Sequence, residues 1–179
     1  MTEGTPDVAP SGVIPAGFWR RVAAWVIDTI VVLVAVYIFG LYLWPDLVAT
    51  TTHSSQAGGA QLEVVSYSLT SLGTLVFGLV LGVYTALLES GPGQATLGKR
   101  MLRLRVTRLD GGRISPLTAI VRCWPLWLPG LFSTVVGLNF VVGAAAIAAC
   151  IAVAFTRRKQ GLHDMMARCL VVRRPPRVL

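Results

Sequence analysis

One acidic residue, Asp28, stands inside an apolar run over residues 22–44, with Arg21 seven positions before it. Insertion scales charge about 2.5–3.5 kcal/mol for Asp at the centre of a membrane helix, so a carboxylate there has a partner or a task. At about 100° per residue, seven steps return Asp28 to within about 20° of Arg21 on one helical face, roughly 10 Å further along the axis. The spacing predicts a membrane helix with a single polar face and argues against a soluble domain.

The rest of the composition agrees. The chain is 54% hydrophobic and only 13% charged, against roughly 25% charged in soluble domains. A net charge of +8 could suit nucleic acid. Its basic residues flank apolar runs, however, so the expected partner is a bilayer with anionic headgroups, and no nucleic acid is expected. All 16 Lys and Arg fall in residues 20–21, 99–122 and 157–177. Between the first two clusters lie apolar runs at 22–44 and 64–88, joined by 45–63, whose only charges are Asp46 and Glu63. The positive-inside rule puts that joining loop outside and the basic clusters and both termini in the cytoplasm, in a multi-pass protein of the cell membrane.

With both flanking clusters inside, residues 115–155 cross an even number of times, and they are too long for one span. Helices are predicted at 115–134 and 138–156 with an outer turn at 137–139, giving four crossings. The third segment carries Arg122, Pro125 and Pro129, which leaves a re-entrant or interfacial helix open there. Residues 1–16 are Pro/Gly/Ser/Thr-rich and read as a disordered tail, not a signal peptide; residues 173–179 read as a basic tail. Cys123, Cys150 and Cys169 all fall in membrane or cytoplasmic segments, which predicts free thiols.

In the second helix, small residues recur every fourth position: Ser66, Thr70, Thr74, Gly78, Gly82 and Ala86. Such a stripe lets another helix approach closely. An intramolecular packing face, with the Gly/Ala-rich fourth helix as partner, a homo-oligomer seam through Gly78 and Gly82, and a hydroxyl-lined path all fit it. Trp19, Tyr42, Trp44 and Tyr67 sit where interfacial anchors are expected.

Residues 93–100 meet most of a phosphate-loop pattern, but Arg100 stands where Ser or Thr is required and a membrane helix precedes it. The glycines instead predict an exit turn from helix 2, with Lys99 and Arg100 at the headgroups. Leu102, Leu104 and Val106 alternate with Arg103 and Arg105, which is strand period. Asp110-Gly111-Gly112 reads as a hairpin turn, and 169–172 as a further strand. The expected fold is an all-α polytopic membrane protein: a four-helix transmembrane bundle with a small cytoplasmic β-hairpin/strand element at about 101–115 and 169–172, within one domain over 17–172.

Three pieces together resemble the RDD family of integral membrane proteins: Arg21-Val-Ala-Ala-Trp-Val-Ile-Asp28; Thr96-Leu-Gly-Lys-Arg100 with Leu104-Arg-Val106 and Asp110-Gly-Gly112; and Gln160-Gly-Leu-His-Asp164-Met-Met-Ala167. They span residues 18–172, with Ala95 splitting the usual Gly-Gln-Thr run and Gly161 standing where a larger residue is common. The resemblance implies Arg21, Asp28 and Asp164 as the name-giving residues, and a role in transport, with cation/proton exchange among the suggestions.

Two functions follow from the residues. In one, Asp28 is half of a buried ion pair that fixes helix arrangement in a structural or accessory membrane subunit. In the other, Asp28 is an intramembrane carboxylate that carries a proton or small cation in a transporter. Catalysis is not expected: the two histidines, His53 and His163, form no cluster, His163 beside Asp164 reads as a structural pair, and no cofactor or metal site is indicated. Depth counting sets Asp28 and Arg122 at the same level, roughly 10–14 Å in, which predicts that they pair. Arg21 is predicted to meet Asp164 at the wet boundary, for about 1 kcal/mol.

Overall fold

A computed structural model describes residues 14–57, 60–156 and 158–173, with backbone alone at 55–57 and 60–62. Helix α1 (Phe18–Tyr42) is 25 residues long, about 37 Å at 1.5 Å per residue, enough to cross a hydrocarbon core of about 30 Å. Its buried residues are Ala24, Asp28, Val32, Val36 and Gly40. They recur every fourth position, so one narrow stripe packs on protein while Ile30, Val34 and Ile38 stay exposed.

A short 3-10 turn (Pro45–Leu47) leads into β1 (Val48–Ala57), which pairs antiparallel with β2 (Ala60–Leu69) along its full length. This hairpin is the first departure from expectation. Residues 64–69, predicted as the start of helix 2, are strand, because this Val- and Ser-rich run satisfies its backbone across β1. Helix α2 therefore begins at Ser71 and ends at Ser90. Thr70 starts it, accepting from Gly73 N at 3.0 Å and donating to Asp46 O at 2.7 Å. Ser66 and Thr70 thus leave the helical stripe.

A loop leads to α3 (Leu97–Met101), β3 (Leu104–Arg108) and the 110–112 turn, where Gly111 has φ +84°. The predicted return strand of a hairpin is absent among the described residues; β3 pairs with β4 (Cys169–Arg173), the further strand expected at 169–172. Leu104, Val106, Cys169 and Val171 are buried in a small core with Ala24, Ala86 and Ala119 at this end of the bundle. Residues 14–16, predicted as part of a disordered tail, bond along the free edge of β4: Ala16 N to Val171 O at 2.8 Å, and Arg173 N to Ile14 O at 3.0 Å. The rest of both predicted tails, 1–13 and 174–179, lies outside the described residues.

The predicted third span is two helices, α4 (Pro116–Arg122) and α5 (Trp124–Leu131). Pro125 has no N–H and its ring opposes the carbonyl four residues back, so one continuous helix cannot run through it. The pieces still run the length of α2 in the opposite direction. Arg122 reaches Glu89, a Cβ on Gly82 would lie 3.1 Å from Trp127, Gly130 faces Thr74 and Leu75, and Ser133 Oγ bonds Ser71 O at 3.0 Å. The partner of the small-residue stripe is therefore α5, not the fourth helix, and a homo-oligomer seam through Gly78 and Gly82 would require α5 to move away. Helix α6 (Val136–Phe155) takes in residues 137–139, where the outer turn was expected; α7 (Leu162–Met166) follows. Among the described residues three helices, α1, α2 and α6, are long and apolar enough to cross a membrane.

The second half of the molecule repeats the first. Helix α2 (Ser71–Ser90), α3 (Leu97–Met101) and β3 (Leu104–Arg108) recur as α6 (Val136–Phe155), α7 (Leu162–Met166) and β4 (Cys169–Arg173), every bound 65 positions later. Left-handed residues recur too: Gln94 (φ 50°) with Lys159 (φ 52°), and Arg103 (φ 56°) with Arg168 (φ 46°). The equivalent residues Val106 and Val171 face each other at the centre of the β3–β4 pair. That pair therefore sits on an approximate two-fold axis, with α1 preceding one repeat and α4–α5 the other.

Candidate functional site

Where the helices meet the β3–β4 pair, five charged side chains from five elements form one chain of contacts. Lys99 (α3) bonds Glu89 Oε1 (α2); Arg122 (α4) bonds Glu89 Oε2 through one terminal nitrogen and Asp164 Oδ1 (α7) through Nε at 2.8 Å; Arg21 (α1) bonds Asp164 Oδ2. Both carboxylates are fully buried, and Arg122 is 5% exposed. The break before Trp124 makes this arrangement possible, because it ends α4 at Arg122 and turns that guanidinium toward α2 and α7. A cation at a helix C-terminus also suits the helix dipole.

Arg21 does more than pair. Its guanidinium donates to Ala16 O at 3.2 Å, Lys159 O at 2.5 Å and Val171 O at 3.5 Å. One side chain thus ties the start of α1 to the turn before α7 and to β4. The predicted Arg21–Asp164 contact is present, but it is dry, not wet: the two side chains are 11% and 0% exposed. Asp164 also accepts from Gly161 N at 3.2 Å, and Cys169 Sγ approaches Oδ1 at 3.8 Å.

Burial opposes ionisation of Asp164, and the guanidiniums of Arg122 and Arg21 override it, holding the carboxyl well below the usual range. Burial also drives His163 down to about 4. At neutral pH it is uncharged, and its Nε2 at 3.4 Å from Asp164 Oδ1 makes no ion pair. The Cys169 thiol is pushed up to about 12, chiefly by burial, and so stays protonated.

Asp28 and Arg122 do not meet. Depth counting set the level of each residue but not the side it faces, and Arg122 turns to Glu89 and Asp164 instead. Asp28 is 4% exposed and accepts three bonds from uncharged donors: Gly98 N at 2.8 Å and Tyr84 OH at 2.9 Å on Oδ1, and Thr96 Oγ1 at 2.5 Å on Oδ2. Leu97 N in turn donates to Tyr84 OH at 3.0 Å. The loop that resembled a phosphate loop does cradle an anion, and the anion is this chain's own carboxylate. Close approach requires glycine at 98, since a Cβ there would lie 2.2 Å from Ala24 O.

A model of the RDD family matches residues 15–168. The chain belongs to the RDD family. The RDD match takes in Arg21, Asp28, Arg122 and Asp164 together with Glu89 and the 96–98 cradle. Among similar proteins is the uncharacterized protein YxaI of Bacillus subtilis (strain 168), 33% identical over 160 residues that cover 88% of this chain and 97% of that protein. No solved structure matches.

Within this RDD protein, the two acidic residues of the resemblance do separate jobs: Asp164 belongs to the ion chain and Asp28 to the cradle. Lys99, expected at the headgroups, lies only 12% exposed against Glu89. Glu89 itself was missed, because the apolar run ends one residue before it and hides that α2 continues to Ser90. Thr96 and Tyr84 were missed as Asp28 partners; the departure of 93–100 from a true phosphate loop was the available signal.

Proposed function

We propose that this RDD protein is a structural or accessory membrane subunit, in which the buried charges lock the loops and the C-terminal segment onto the helix bundle. The observation that carries this is saturation: the carboxylates of Asp28, Glu89 and Asp164 are each held by two or more donors from other elements. Groups held this way keep a shape and have no free valence for turnover. Catalysis, a cofactor and a metal have no part in this reading. The bundle crosses four times, with α4–α5 as a broken third crossing antiparallel to α2.

The end bearing the network faces the cytoplasm, in keeping with the positive-inside rule. Arg20, Arg103, Arg108, Arg113 and Arg168 are exposed at that end and meet anionic headgroups. Leu97 and Met101 of α3, and Leu162 and Met166 of α7, are exposed apolar residues at equivalent places in the two repeats. They dip into the interface as two short amphipathic anchors. Thr51→Cys in β1 reacts with an impermeant maleimide on intact cells and Arg108→Cys in β3 reacts only after lysis; the reverse pattern rejects this orientation.

Transport remains the second reading, favoured by the donor set of Asp28, whose three partners are all uncharged. Purified protein in proteoliposomes under a sodium or potassium gradient decides between the two, with a pH-sensitive dye inside. The accessory reading expects no proton movement above empty vesicles. Cation-dependent movement that disappears in a folded Asp28→Asn protein would replace it.

A further inference from the structure

We infer that the cavity between α1 and α6 is a binding site for an anionic amphiphile, an acyl chain with a carboxylate or phosphate head. The internal repeat supplies the first reason. Helix α2 closes on α5 through Gly78 and Gly82, where added Cβ atoms would lie 3.2 Å from Leu126 O and 3.1 Å from Trp127. The equivalent residues of α6 are Gly143 and Ile147, and the helix in the corresponding place is α1. Closure fails there: a Cβ on Gly143 meets nothing within 4 Å, Ile147 is 62% exposed, and a cavity of about 320 Å³ remains between the helices. That volume falls in the range of about 300–1,000 Å³ usual for small-molecule sites.

Polarity supplies the second reason. At the mouth stand Trp25, Ile147 and Ile151, all exposed on the lipid-facing side of α1 and α6, and the walls behind are apolar apart from Thr85 and the uncharged His163. The far end presents Arg21, Lys99 and Arg122. Their counter-ions, Glu89 and Asp164, are fully buried and lie behind those cations, outside the lining. A ligand in the cavity therefore meets only positive charge, and three cations against two carboxylates leave an excess of one. A free anion would leave the apolar walls unfilled, and a neutral or cationic chain would leave the excess positive charge uncompensated. An anionic head on an acyl chain satisfies both ends, entering sideways from the leaflet with its head level with the basic cluster.

Cys150 lines the cavity and is exposed, whereas Cys123 and Cys169 are buried, so its alkylation reports occupancy. The full chain in maltoside micelles is treated with a membrane-soluble maleimide, and the Cys150 peptide is followed by mass spectrometry. Oleate at ten times its Kd is expected to slow the reaction about tenfold by mass action, and oleyl alcohol less than about twofold. Dioleoyl phosphatidylglycerol and phosphatidylcholine, added in parallel, separate the sources: protection by phosphatidylglycerol assigns a phospholipid, and protection by oleate alone assigns a free fatty acid. Ile147→Trp fills the mouth and is expected to bring the rate ratio with and without oleate to one; if that protein does not fold, Ile151→Trp makes the same comparison. Equal protection by oleyl alcohol, no protection by either anionic lipid, or oleate protection that survives the filled mouth overturns the assignment.

Discussion

Asp28 and Arg122 are both buried charges in one bundle, yet replacing them by the nearest neutral side chain should have unequal effects. In Asp28→Asn the amide oxygen can take the place of Oδ1 and keep the bonds from Gly98 N and Tyr84 OH, at 2.8 and 2.9 Å. The amide nitrogen then replaces Oδ2, 2.5 Å from Thr96 Oγ1, and the hydroxyl turns from donor to acceptor. Every group stays paired, and the loss is the charge assistance on three bonds, about 1–2 kcal/mol. Asp28→Leu offers no such exchange: it strands one backbone N–H and two hydroxyls, at about 1–3 kcal/mol each. Arg122→Gln leaves Glu89 and Asp164, both fully buried, with one cation each where they had two, and breaking buried pairs costs about 3–5 kcal/mol. Unfolding in mixed micelles of maltoside and dodecyl sulfate, followed by tryptophan fluorescence, ranks the variants. The expected order of loss is Asp28→Asn well below Arg122→Gln, with Asp28→Leu at least comparable to the latter. An Asp28→Asn protein as unstable as Asp28→Leu would refute the reasoning, because it would mean that the cradle recognises the charge and not the pattern of donors.

Gly98→Ala should fail to accumulate, since its Cβ would lie 2.2 Å from the backbone oxygen of Ala24; Gly93→Ala first meets the side chain of Arg100, which can shift at the cost of its bond to Ala95 O, and should accumulate better than Gly98→Ala by immunoblot of membranes. Acid should weaken the fold through His163 and Asp164 alike. Both have lower pKa values in the fold than outside it, so their contributions are complete above the unfolded values of 6.5 and 3.8 and fade as pH falls. For His163 the fade runs from 6.5 to about 4 and amounts to about 3 kcal/mol; a His163→Gln protein should lose that part of the slope between pH 7 and pH 4 in the same unfolding assay.

Local pattern and charge revealed much of this molecule. The apolar runs located α1 and α6 to within a few residues, the alternation at 102–106 located β3, and the i, i+7 spacing put Arg21 and Asp28 on one helix. The errors arose where a neighbour distant in sequence decides. Residues 64–69 are apolar enough to begin a helix, and only pairing with β1 makes them strand. Pro125 warned of a break in the third segment, but not that the break would hand Arg122 to Glu89 and Asp164. The small-residue stripe announced a close neighbour without saying which one, because the repertoire of α5 and α6 at its surface is equally apolar.

The repeat explains why the charges sit where they do. Two copies of a helix, a short helix and a strand meet across β3 and β4, and the apolar pair Val106 and Val171 at the axis gives that junction no polar feature to fix its register. The ion chain supplies one asymmetrically. Lys99 and Asp164 occupy equivalent positions in α3 and α7, two residues after the start of each helix, and carry opposite charges. Arg122 can therefore join Glu89 in one repeat to Asp164 in the other, which two copies of either residue would not allow. With lysine at both places the junction would hold two extra cations beside Arg122 and Arg21; with aspartate at both, Glu89 would lose Lys99 and face a third buried carboxylate. The departure from symmetry at this one position lets a duplicated fold settle on a single arrangement, in which Arg21, Lys99 and Arg122 all line the cavity that opens between α1 and α6.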